Sequence, residues 1–113
     1  MGMKRKDIFS GAVGPDRSEP LTRLIEAMLA MRSAGELRAF LEDLCTPAEL
    51  EAFADRWRVV PLLLEGMAYR EIHDHTGVSV TTVGRIARCL GLGSGGYRLA
   101  AERVLPDPND ASV

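Results

Sequence analysis

The sequence predicts an all-α fold of six helices organised around a helix-turn-helix. Three observations carry that prediction. Apolar residues recur at spacings of three and four in segment after segment, which lines one face of an α-helix. A capping-box pattern, Ser or Thr followed three residues later by Glu, occurs at Ser33/Glu36 and again at Thr46/Glu49. Finally, Tyr69 to Leu90 reads as two short helices joined by a tight turn.

Residues 1–17 mix Lys4, Arg5 and Lys6 with Gly11, Gly14 and Pro15 and show little periodicity, so this lead is expected to be poorly ordered. Ser18 with Pro20 marks the first helix start, and Leu21, Leu24, Ile25, Met28, Leu29 and Met31 give it a broad apolar stripe. The Ser33/Glu36 box opens a second helix carrying Leu37, Phe40, Leu41 and Leu44. Thr46-Pro47-Ala48-Glu49 opens the third and longest, with Leu50, Phe53, Trp57, Val60 and Leu64 on one side and Gly66 at its end. Pro61 inside it lacks an N–H for the Trp57 carbonyl and is expected to kink it, at a cost of about 3 kcal/mol unless packing compensates.

In the helix-turn-helix, Gly77 takes the turn position where φ > 0 is usual and Val78 plugs the angle between the helices. His73 stands where such motifs commonly carry a small residue, so it must lie exposed or hold the helices apart. Ser79 caps the second helix by accepting an N–H bond near Thr81 or Thr82. Val83, Ile86, Ala87 and Leu90 then face inward, which turns Val80, Thr81, Gly84, Arg85 and Arg88 outward. That outward set is small, hydroxylated or cationic. Short side chains let a helix enter the major groove, Thr reaches bases or phosphates, and Arg grips guanine or phosphate. The run Gly91 to Gly96 ends this helix, and a last one spans about Tyr97 to Leu105 before Pro106 and Pro108. One domain over 18–106, with a tail at 107–113, is the organisation these boundaries predict.

Length and composition agree with one soluble domain: 113 residues and 46% hydrophobic content leave no room for a second core. No apolar run approaches membrane-spanning length and the N-terminus lacks a signal-peptide stretch, so a cytoplasmic location is expected. Cys45 and Cys89 are too few for a disulfide scaffold and are expected to be reduced core residues. The net charge of −2 argues against a nonspecific nucleic-acid coat. Its distribution is lopsided, however. Eight acids between Glu19 and Asp55 face Arg23, Arg32 and Arg38, whereas Ser79 to Tyr97 has no acid and contains Arg85 and Arg88. A cationic face on an acidic body favours a double-stranded DNA contact confined to one element, with the Lys4-Arg5-Lys6 cluster available as an arm.

The first three helices carry more Leu, Met and aromatic side chains than a chain of this size hides by itself, which predicts a homodimer through Leu24, Met28, Phe40, Phe53 and Trp57. A two-fold operator calls for the same thing, because its half-sites need recognition helices about 34 Å apart.

Thr46-Pro47-Ala48-Glu49, Arg56-Trp57-Arg58, Leu63-Leu64-Glu65-Gly66, Arg70-Glu71-Ile72 and Gly77-Val78-Ser79-Val80-Thr81-Thr82-Val83 resemble the tryptophan repressor superfamily. The resemblance covers about Leu21 to Val104, and the Gly-rich run before Tyr97 is closer to its YerC/YecD-like branch. It implies an intertwined helical homodimer with a projecting reading head, and a bacterial transcriptional regulator acting as a repressor, whose expected DNA-binding set is Arg70, Ser79, Val80, Thr81, Thr82, Gly84, Arg85 and Arg88. It also places Thr46, Arg56 and Arg85 at positions similar to the family's effector pocket. Ile86 follows Arg85 where the tryptophan repressor has glycine, and the segment from Gly66 to Arg70 is one residue shorter, which argues against L-tryptophan. No other effector is named by the sequence.

No cofactor, metal or catalytic residue is expected. His73 and His75 are two apart on a helix and point about 200° from each other, and no Cys-x-x-Cys, Ser/His/Asp, P-loop or dinucleotide glycine pattern occurs. Two rival readings keep the helical dimer. An enzyme of the chorismate-mutase type would converge Arg23, Arg38, Arg56 and Arg58 on a dianion, but it has no use for the Thr81-to-Arg88 face. A protein-protein adaptor would show no salt-dependent DNA affinity.

Overall fold

The computed structural model describes residues 18–106, so the expectations for 1–17 and 107–113 lie outside the described residues. Six helices form there and no strand does: α1 Ser18–Ala30, α2 Ala34–Leu44, α3 Pro47–Leu64, α4 Tyr69–Thr76, α5 Val80–Leu92 and α6 Gly96–Val104. The chain divides into two units at Leu44/Cys45.

The described part of the first unit is α1 and α2. Neither helix buries a residue. Leu21, Ile25 and Leu29, one above another at a spacing of four, are 57%, 47% and 79% exposed, so this apolar row of α1 meets water in the single chain, while Leu24 and Met28 beside it are half-buried. The opening of α2 departs from the expected box in one bond. The Glu36 amide donates to Ser33 Oγ at 3.1 Å, but the Glu36 carboxylate accepts from the Arg32 amide at 2.7 Å rather than from Ser33. On the surface of these helices Arg23 pairs with Glu19 and Arg38 with Glu42, each at 3.1 Å across one helical turn.

In the second unit α3 packs against α4, α5 and α6, and α5 packs against α4 and α6. Their core is Val59, Val60, Ile72, Val78, Val83, Ile86, Leu90 and Ala101, with Trp57, Leu62, Leu63, Met67, Tyr97 and Leu105 half-buried around it. The Thr46 box is complete: Thr46 Oγ1 accepts from the Glu49 amide at 3.1 Å, and the Glu49 carboxylate accepts from the Thr46 amide at 2.8 Å. Pro61 does not end α3, which runs on to Leu64. Val59 and Val60 are fully buried just before it, and their packing outweighs one missing hydrogen bond. The helix closes in a Schellman motif. Gly66 at φ +86° donates to Leu63 O, Met67 donates to Leu62 O, and both Met67 and Leu62 pack against the core.

Two expectations change. Helix α5 continues past Leu90 to Leu92, so Gly91 is helical and the cap is Gly93. Cys89 is exposed and Cys45 half-buried, both free, so neither is a core residue. At about 100° per residue Cys89 falls roughly 120° off Val83, outside the arc that holds Ile86, Ala87 and Leu90.

Candidate nucleic-acid interface

The turn between α4 and α5 is held by side chains of α4. Thr76 Oγ1 donates to the Ile72 carbonyl at 2.7 Å and accepts from the Val78 amide at 3.0 Å. His73 Nδ1 lies 2.9 Å from the Val78 carbonyl, which accepts its proton. Both backbone groups of Val78 are therefore bound, its side chain is 8% exposed, and Gly77 at φ +79° makes the reversal. His73 is exposed and bridges the turn, which resolves its unusual size: it stays outside the helix packing. The angle between the two helices is thus set by bonds within the chain.

Ser79 then caps α5. Its Oγ accepts from the Thr82 amide at 3.1 Å and donates to Thr82 Oγ1 at 3.0 Å, which leaves the Thr82 hydroxyl proton free to donate outward. Val83, Ile86 and Leu90 enter the core at 0%, 3% and 9% exposure and fix the rotation of the helix. Counted at about 100° per residue from Val83, Thr81, Arg85 and Arg88 lie within roughly 40° of the opposite side, and Gly84 about 100° round, on the flank. The structure brings Ser79, Val80, Thr81, Arg85 and Arg88 to the exposed surface of one element, with Thr82 and Gly84 half-buried beside them and Arg70 exposed on α4.

Helix α5 contains no acid. Among the described residues Arg70, Arg85 and Arg88 have no carboxylate partner, whereas Arg23, Arg38 and Arg58 each pair with an acid of their own helix. The arginines drafted for a dianion site are therefore largely engaged locally, and Arg56 stacks on the Phe53 ring at 5.8 Å. Of the effector set, Thr46 Oγ1 serves as the cap of α3, and at a 1.5 Å rise Arg56 lies about 15 Å further along that helix. These two do not converge within α3, and Arg85 sits exposed on α5. Ile86 beside it is turned into the core.

Two contacts have no signature in the sequence. Arg98 Nε, from α6, donates to the Leu90 carbonyl at 2.9 Å and satisfies the last turn of α5. The Tyr69 ring lies against Gly84, so that a Cβ there would meet Tyr69 Cε2 at 3.7 Å. Both join residues far apart in sequence, where helical periodicity is silent. No group of three or more His, Cys, Asp or Glu among the described residues is placed to hold a metal, and no described helix is long and apolar enough to cross a membrane.

Comparison with known proteins gives concordant matches. The family described as Trp repressor protein matches residues 19–105. YerC of Bacillus subtilis (strain 168), an uncharacterized protein, is 34% identical over 96 residues, 85% of this chain and 92% of YerC. The crystal structure of a TrpR-like protein from Eubacterium eligens ATCC 27750 is similar at a TM-score of 0.72 with 32% identity, over 77% of this chain and 90% of that one. A Staphylococcus aureus structure assigned as a Trp repressor gives a TM-score of 0.71 and 30% identity, over 77% and 87%.

Proposed function

The chain belongs to the Trp repressor family of DNA-binding transcription regulators, and on that premise we propose that it is a sequence-specific repressor acting as a homodimer in the cytoplasm. The observation that carries the proposal is the outward face of α5: Thr81, Arg85 and Arg88 on an acid-free helix, with both arginines lacking a carboxylate partner among the described residues. Guanidinium groups without an internal anion keep their donors for an external one, and the duplex supplies it.

In this reading the Ser79–Val80 end of α5 enters the major groove, where the short side chains of Ser79 and Val80 let the backbone approach. Arg85 forks onto the O6 and N7 acceptors of a guanine, Thr81 contacts a neighbouring base edge, and Arg88, Arg70 and the free proton of Thr82 hold phosphates. The exposed apolar positions Leu21, Ile25, Leu29, Leu44, Phe53 and Leu64 support self-association, since a second copy covers what the single chain leaves in water. The turn inside the reading head is held without a ligand, by Thr76 and His73 on Val78, and Ile86 follows Arg85 where the tryptophan repressor has glycine; both favour DNA binding without L-tryptophan.

Binding-site selection on random duplex DNA, followed by light scattering on the free protein, tests the proposal. A recovered sequence with two-fold symmetry and a mass near twice 12.3 kDa are expected. Failure to enrich any sequence, or a monomer at micromolar concentration, would overturn it.

A further inference from the structure

We infer that Tyr69 is a DNA contact: its ring roofs Gly84 on the flank of α5, and its hydroxyl donates a hydrogen bond to a backbone phosphate of the duplex that α5 reads. The inference rests on the proposed DNA-binding function. It starts from the 3.7 Å approach of Tyr69 Cε2 to the position a Gly84 Cβ would take. The ε carbon neighbours the carbon that bears the hydroxyl, so the polar tip of the ring is carried to the surface of α5. Tyr69 is 44% exposed, and its hydroxyl has no hydrogen-bond partner among the described residues. A tyrosine that presses its ring onto a helix while its tip stays wet has a donor available for a partner.

The flank position selects a phosphate over a base. Thr81 and Arg85 occupy the centre of the outward face, about 20° from the side opposite Val83, which points at base edges, whereas Arg88 lies about 40° and Gly84 about 80° from that side, towards the flank. The sugar-phosphate walls of the groove meet a recognition helix along its flanks. The ring stands at van der Waals distance from the Gly84 position, alongside the flank of α5, and exposed Arg70, next in sequence, adds a positive charge to the first turn of α4.

The test measures binding of the full chain to its selected duplex and to unrelated duplexes across a salt series, with Tyr69→Phe, Tyr69→Ala and Arg88→Ala beside the wild type. Tyr69→Phe removes one exposed oxygen, so its melting temperature should match the wild type. Its dissociation constant should rise about tenfold on every duplex alike, the loss of one hydrogen bond to a charged group. The slope of log affinity against log salt should stay as in the wild type, because a neutral hydroxyl displaces no counterion, while Arg88→Ala should flatten it. Wild-type affinity in Tyr69→Phe beside a weakened Arg88→Ala overturns this inference alone. So does a Tyr69→Ala variant that melts lower while Tyr69→Phe binds normally, which shows a packing role only. A wild-type chain that binds no duplex overturns the underlying DNA reading and this contact with it.

Discussion

Gly77→Ala tests whether the reading head is held by torsion at its turn. Gly77 sits at φ +79°, ψ −4°, and a Cβ built there meets nothing within 4 Å. The cost is therefore conformational and free of collision: an L-residue in this region loses about 1–2 kcal/mol. The smaller freedom of alanine in the unfolded chain returns about 0.4–1 kcal/mol. A net loss of about 1 kcal/mol lowers the melting temperature by about 4–8 °C in a domain of this size. Thermal melts by far-ultraviolet circular dichroism read the shift, and Gly77→Asn should fall between wild type and alanine because asparagine tolerates positive φ. Affinity for the selected duplex, measured well below the melt, should stay close to wild type, since the Val78 clamp through Thr76 and His73 is untouched. An alanine variant as stable as the wild type would refute the reasoning, and asparagine falling below alanine would show that crowding, not torsion, governs the site.

Arg85→Ala and Thr81→Ala should each weaken specific binding by about 1–3 kcal/mol and relax preference at one base position, while Arg88→Ala lowers affinity for all duplexes alike; unchanged affinity in the first two would mean that another surface reads DNA. Millimolar L-tryptophan should leave both affinity and melting temperature unaltered, against a stabilisation of about 2.7 kcal/mol for a ligand at a hundredfold excess over its Kd; a melt shift abolished by Arg85→Ala would reverse that conclusion. Thr46→Ala removes the cap acceptor for the Glu49 amide and should cost about 1 kcal/mol in denaturant unfolding, with wild-type stability counting against the box. Arg98→Ala should fray the end of α5, seen as faster amide exchange in its last turn than in the wild type; unchanged protection there would show that the Leu90 carbonyl does not need it.

Six helices and the turn at Gly77 were legible in the sequence because each is a local matter. Caps such as Thr46/Glu49 and Ser79 act within one turn, and the 3.6-residue period sorts Val83, Ile86 and Leu90 from Thr81, Arg85 and Arg88 without reference to the rest of the chain. The same period puts Cys89 about 120° from Val83, on the flank, and there it is exposed rather than in the core. The survival of α3 through Pro61 depended on whether the burial of Val59 and Val60 outweighs a lost hydrogen bond, a comparison that needs α4, α5 and α6 in place. Likewise the partners of His73 and Arg98, and the seat of Tyr69 on Gly84, arise where separate helices meet. Sequence determined which residues face out from α5 and that this helix offers Arg85 and Arg88 no acid to pair with; only tertiary packing decided that Tyr69 lies against Gly84 and that Arg98 reaches the Leu90 carbonyl, because those contacts depend on distances between elements that no periodicity encodes.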